Sequence, residues 1–216
     1  MIRTRSLAFA YPGADALRFP DVDLAQGATL LLQGRSGSGK STWLSLVAGL
    51  RAPAEGELVV ADQDLRALPP LRRDRWRGRT VGFLPQKLHL SDALTVSENL
   101  GLAFFAAGLP EERARVQAAL QALDIADLAR RKPSQLSGGQ AQRAALARAV
   151  LLSPRLVLAD EPTASLDDAA AAAAVALLRD AARRCGASLV IATHDRRVRE
   201  ALPEGAVLSL DAEVAA

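Results

Sequence analysis

Apolar and polar positions alternate through IRTRSLAFA (2–10) and stop at Tyr11-Pro12-Gly13, which predicts a half-buried strand closed by a turn. ATLLLQ (28–33) is a short apolar run; a glycine-rich loop and then KSTWLSLVAGL follow it, a strand–loop–helix order. A turn at APAEG leads to a strand at ELVV, and VGFLPQ (81–86) reads as a further strand. From Lys87 to about Pro154 the pattern becomes helical. Thr95 with Glu98 three residues on predicts a capping box at a helix start. Pro110, Glu111 and Glu112 predict the first turn of the next helix, with the acids at the positive end of its dipole.

After Pro154 two unbroken apolar runs appear, RLVLAD and SLVIATHD. Runs without alternation predict strands buried on both faces, as in a parallel sheet. Between them LDDAAAAAAVALLRDAARRCG predicts a helix that starts at Asp167 and Asp168 and stops at Gly186. The fold class is therefore α/β, one domain over 1–216. Its core covers about 1–86 and 155–216, with a helical insertion over about 87–154.

Composition narrows the class. Half of the 216 residues are apolar and 24% are charged, which fits a folded domain. No apolar run approaches the ~18 residues of a membrane span, and no basic-then-apolar leader opens the chain. Cys185 is the only cysteine, so no internal disulfide forms and a reducing cytoplasm fits. The net charge is +3. The densest basic run, Leu71–Arg79, reads as a solvated surface turn, or else as a face for anionic lipid or nucleic acid. Lysine occurs only at 40, 87 and 132, so a lysine inside a glycine loop stands out.

That loop, Gly34-Arg35-Ser36-Gly37-Ser38-Gly39-Lys40-Ser41 followed by Thr42, matches the pattern G-x-x-x-x-G-K-[ST]. Its glycines let backbone N–H groups curl around phosphate oxygens, Lys40 reaches the β and γ phosphates, and the Ser41 hydroxyl suits Mg²⁺. With glycine at about 7% of residues, a chance match in a chain of this length is on the order of one in a hundred. About 120 residues later an apolar strand delivers Asp160 and Glu161. Asp160 suits the Mg²⁺ shell, and Glu161 suits a general base that polarises the attacking water. His194 follows a parallel strand at the edge where ligands bind, and Gln86 ends another, within reach of Mg²⁺ or water. PSQLSGGQ (133–140) is a second loop-to-helix junction with bare backbone, and hence a second phosphate cradle.

Together these residues resemble the ABC ATPases, the nucleotide-binding subunits of ABC transporters. The resemblance spans the chain: Walker A at 34–41, Q-loop Gln86, signature LSGGQ (136–140), Walker B LVLAD with Glu161, D-loop Ser165–Asp167 and switch His194, in the family's order. LSGGQ is the specific element. The resemblance implies a P-loop core with a mixed, mainly parallel sheet, an antiparallel β subdomain and an α-helical subdomain. It implies ATP and Mg²⁺ as cofactors, Tyr11 as the adenine-stacking aromatic, and a head-to-tail dimer, a homodimer or one with a close relative. In that dimer Ser137, Gly138, Gly139 and Gln140 of one subunit, with Asp167, meet the nucleotide held by the other. That explains why one chain carries two cradles. It further implies a separate transmembrane permease gripped by the stretch after Gln86, a peripheral place on the cytoplasmic face of the membrane, and no nucleic-acid partner.

The wording around 72–100 and 155–167, and an end about twenty residues after His194, resemble the lipoprotein-releasing and macrolide-export group. Importer subunits share much of this wording. A soluble ABC ATPase of DNA repair or translation would carry coiled-coil or zinc insertions or two cassettes, and a nucleotide kinase would lack the signature. Ala164 and Ala141 depart from the residues common at those positions, and neither removes a reacting group.

Overall fold

The computed structural model describes residues 1–164 and 166–211. Its strands divide into an antiparallel and a parallel sheet. In the first, β1 (Ile2–Phe9) pairs antiparallel with β2 (Leu17–Arg18), β3 (Val22–Leu24) and β5 (Glu55–Val60), and β5 carries β6 (Gln63–Asp64). In the second, β10 (Ala206–Ser209), β4 (Thr29–Gln33), β9 (Ser188–Ala192), β8 (Leu156–Asp160) and β7 (Val81–Leu84) lie side by side in that order, all parallel.

Every residue of β8 and β9 is buried, which is why their sequences do not alternate. The two faces of the parallel sheet feed two cores. Leu156, Leu158, Val190 and Ala192 point into one, shared with α1 (Lys40–Val47) and the antiparallel sheet. Val157, Ala159, Leu189 and Ile191 point into the other, under the helices. Those helices are α3 (Val96–Ala107), α4 (Arg113–Ala122), α5 (Gly138–Val150) and α6 (Asp168–Arg184). Gly82 lets β7 lie directly under α5: a Cβ there would fall 2.2 Å from the Ala149 carbonyl oxygen.

Thr95 and Glu98 form the expected capping box at α3, with Glu98 accepting from the Thr95 N–H at 2.7 Å. Asp167 caps α6 by accepting from the Ala170 N–H at 2.8 Å, and Gly186, at φ 61°, ends it.

Two expectations are corrected, and two elements are added. The basic run is no turn: Pro70–Thr80 is a helix, α2, started by Pro70 in its first turn. No residue of α2 is fully buried, so no apolar stripe marks it. The next helix, α4, begins at Arg113 with Glu112 as its cap, so Pro110 and Glu111 precede it. A short helix α7 (Arg196–Ala201) and the edge strand β10 follow His194, where no element was expected.

Candidate functional site

Parallel strands end their carboxyl edges on one side, and four loops meet there. The loop after β4 supplies 34–41, β7 supplies Gln86, β8 supplies Asp160 and Glu161, and β9 supplies His194. Ser36, Gly37, Gly39, Lys40, Ser41, Thr42, Gln86, Asp160, Glu161 and His194 line one cleft of about 480 Å³, with Tyr11 at its mouth.

The glycine loop is shaped by left-handed backbone at Gly37 (φ 82°) and Gly39 (φ 95°). A Cβ at Gly34 would lie 2.4 Å from Ser38 Oγ, so a larger residue there would have to turn the Ser38 side chain. The Lys40 ammonium is buried inside the loop and donates to the carbonyls of Gly34 at 2.7 Å and Arg35 at 3.1 Å. It also stands 3.7 Å from Glu161 Oε1. The Arg35 N–H is held by Asp211 Oδ1 at 2.8 Å, a partner that nothing in the sequence signals.

Glu161 sits just past β8 with a left-handed backbone, φ 47°, a strained conformation for a residue with a Cβ. Its N–H donates to the Ala192 carbonyl at 2.8 Å, which fixes the turn. Its carboxylate is held from three sides: Lys40, the Thr193 hydroxyl donating to Oε2 at 3.0 Å, and His194 Nδ1 at 2.8 Å from Oε1. Thr193 thus joins the site unforeseen; its position beside His194 was the available clue. The His194 side chain is mostly exposed while the Glu161 side chain is only 12% exposed.

Asp160 is different. It is buried, and its Oδ1 has no hydrogen-bond partner. Burial pushes its carboxyl above the usual range, opposed by the neighbouring Ser41 hydroxyl, while the adjacent Glu161 charge pushes it up further. A buried, unpartnered carboxylate oxygen beside a serine hydroxyl fits one edge of a Mg²⁺ shell. Among the described residues no group of three His, Cys, Asp or Glu could cage a metal.

This isolates a stability effect. Asp160→Asn removes a desolvated charge, so the ligand-free protein is expected to gain about 1 kcal/mol, or ~2–4 °C in melting temperature. Because the folded-state pKa is raised, the wild type gains stability as pH falls through that pKa. The asparagine variant should lack this rise. Melting curves from pH 4 to 8 check both; a lower melting temperature for the variant at neutral pH contradicts a destabilising buried charge at Asp160.

The Tyr11 hydroxyl shares a hydrogen bond of 3.0 Å with Thr42 Oγ1, which ties the ring to α1. The Arg51 guanidinium lies 4.9 Å over that ring, and Phe9 meets it edge to face at 4.9 Å. Arg51 was not singled out from the sequence.

Ser137, Gly138, Gly139 and Gln140 do not line the cleft with Lys40. They form the start of α5 as a capping box: Ser137 Oγ accepts from the Gln140 N–H at 3.3 Å, and Gln140 Oε1 accepts from the Ser137 N–H at 3.0 Å. Ser137, Gly138 and Gly139 are exposed. A Cβ at either glycine would meet nothing within 4 Å, so packing inside this chain does not explain them. One helical turn on, Gln142 donates to the Pro162 carbonyl at 2.6 Å and joins α5 to the loop after Glu161. Of the expected D-loop, Ser165 lies outside the described residues.

Comparison with known proteins gives this geometry its family. The family model described as ABC transporter matches residues 17–164. The lipoprotein-releasing system ATP-binding protein LolD of Anaeromyxobacter dehalogenans is 43% identical over 83% of this chain and 77% of its own. The protein of that name from Xylella fastidiosa (strain Temecula1) is 39% identical over 94% of this chain and 87% of its own. Among solved structures, the ATP-binding cassette MJ0796, a dimer in a post-hydrolysis state with ADP and Pi, superposes with a TM-score of 0.85. It is 29% identical, and the match covers 98% of this chain and 94% of that one. The cassette cbiO1 of Clostridium perfringens superposes at 0.79 with 26% identity, over 90% of this chain and 78% of that one. With a phosphate loop, two carboxylates and a histidine gathered in one cleft, and with these matches over most of its length, the chain belongs to the ABC transporter family and is one of its ATP-hydrolysing subunits.

Proposed function

We propose that this chain is the ATPase of a lipoprotein-releasing type of transporter, working as a head-to-tail dimer on a separate membrane permease. The observation that carries the dimer is the pair of exposed glycines at the start of α5. A Cβ on either would meet nothing within 4 Å, so packing inside the chain does not call for glycine there, and the bare backbone is open to a ligand presented by another molecule. Two subunits would then close each nucleotide between the 34–41 loop of one and Ser137–Gln140 of the other, with Asp167 at the same seam. The solved cassettes described as dimeric support this arrangement. The subgroup rests on the LolD relatives, which align with up to 94% of this chain.

In the cleft, the loop N–H groups and Lys40 bind the phosphates of ATP, and Tyr11, backed by Arg51, offers a face to the base. Ser41 and Asp160, with Gln86 nearby, would hold Mg²⁺, which neutralises charge on the phosphates when bound. Glu161 takes the proton of the attacking water. Thr193 and His194 hold its carboxylate in place, and His194 keeps its second ring nitrogen for the γ-phosphate. Residues 87–154 form the helical subdomain, and the segment after Gln86 faces the permease. No helix of the described residues is long and apolar enough to cross a membrane. In this reading the subunit sits peripherally on the cytoplasmic face, against a permease that supplies the spanning helices.

Affinity capture with tagged Glu161→Gln and ATP, from detergent-solubilised membranes of the source cells, tests the reading. A four-span permease with a large extracytoplasmic domain is the expected co-purifying protein. A multi-span importer permease would overturn the subgroup; ribosomes or repair proteins alone would overturn the transporter reading.

A further inference from the structure

The side chain of Arg197 binds the loop that carries His194 to the segment around Asp167. Asp195, directly after His194, caps α7 and grips Arg197: the Arg197 N–H lies 3.0 Å from Oδ1, Nε 3.0 Å from both oxygens, and Nη2 2.8 Å from Oδ2. The same carboxylate accepts the Thr163 hydroxyl at 2.7 Å, two residues past Glu161. Arg197 Nη1 then reaches the other way, to the Leu166 carbonyl at 3.2 Å and Asp168 Oδ1 at 2.7 Å. Leu166 and Asp168 flank Asp167 on either side.

The geometry has two consequences. A guanidinium engaged along two edges is fixed in its plane, so the two loops it joins move together; a lysine could not do this. The Asp168 carboxylate is 94% exposed, so its arm of the bridge contributes little to stability. Its effect is on position. Asp195, 16% exposed and held well below the usual carboxylate range by Arg197, stays charged across the working pH range and keeps the bridge intact.

We propose that Arg197 is a positioning residue coupling the His194 loop to residues 166–168, so that the setting of His194 around the nucleotide decides how Asp167 is presented to the second subunit. This rests on the dimeric reading above. Arg197 touches no reacting atom. It acts through Leu166 and Asp168 on one side and through Asp195 on the other.

The test uses the full chain. ATP-driven dimerisation of Glu161→Gln is measured by light scattering and compared with the double variant carrying Arg197→Ala. A fluorescent ATP analogue reports binding to the monomer. The expected result is monomer affinity within about twofold, and a protein concentration for half-dimerisation raised by about tenfold, the scale of a lost charge-assisted contact. In the otherwise unaltered chain, Arg197→Ala should lower kcat by about tenfold with little change in KM, and Arg197→Lys should fall between. Asp168→Ala, at an exposed carboxylate, should lower kcat in the same direction and add nothing on top of Arg197→Ala. It gives the same reading if Arg197→Ala fails to fold. Equal dimerisation with and without Arg197, or additive effects of the two variants, would overturn the coupling. If Glu161→Gln itself forms no ATP-dependent dimer, the dimeric reading falls and the coupling with it.

Discussion

Glu161→Gln is expected to bind ATP as the parent does, to lose turnover by about a hundred- to ten-thousandfold, and to accumulate as an ATP-bound dimer. The size is that of a general base removed from a reaction that still has its phosphate cradle. The variant is close to isosteric, so the Thr193 hydroxyl at 3.0 Å keeps an acceptor and the turn at φ 47° is unchanged. What disappears is the charge beside Lys40 and the capacity to take a proton. Single-turnover hydrolysis with gel filtration in ATP measures both effects. Parental turnover would remove Glu161 from the role of base. Loss of ATP binding would make it a structural group instead, since glutamine preserves the shape of the site.

Gly139→Asp should separate folding from function still more sharply. An acid in the first turn of α5 interacts well with the positive end of the helix, and aspartate gives up less backbone entropy than glycine. With nothing within 4 Å of a Cβ at that position, the variant should melt no lower than the parent. Its ATPase activity should nonetheless fall by at least a hundredfold, because in the proposed dimer a carboxylate would face the γ-phosphate carried by the partner subunit. ATP affinity of the monomer should hold, since Gly139 does not line the nucleotide cleft of its own chain. An active Gly139→Asp protein would remove α5 from the active site. An unstable one would mean that the glycine serves packing after all.

The parts legible in the sequence are those whose chemistry is local. An apolar run followed by glycines and Lys40 needs only a strand, a loop and a helix, and β4 and α1 supply them. The unbroken runs at β8 and β9 announce burial on both faces, which is what the parallel sheet gives them. By contrast α2 hides because it holds no fully buried residue and five of its eleven positions are arginine. Its place depends on tertiary contact, with Trp76 and Arg73 lying against Gly49. β10 is four residues long and mostly exposed, and among the described residues it pairs only with β4. The residues that tune the site, Arg51 over Tyr11 and Arg197 between Asp195 and Asp168, act across the fold, and nothing adjacent to them in the chain marks them. The exposed glycines at 138 and 139 were visible as a phosphate cradle, and the family resemblance already set them against the other subunit's nucleotide; the structure adds that a Cβ at either would meet nothing within 4 Å in their own chain.

The strand that ends in Asp160 is hydrogen-bonded along both edges, to β7 and β9, and covered on both faces. Its carboxylate is therefore set when the chain folds rather than when nucleotide arrives. Ordering during a catalytic cycle is expected instead at the exposed His194 and at the exposed start of α5, Ser137–Gly139. Nucleotide affinity then reflects a site organised in advance, whereas turnover reflects the ordering of its rim, so temperature should act on the two with different force.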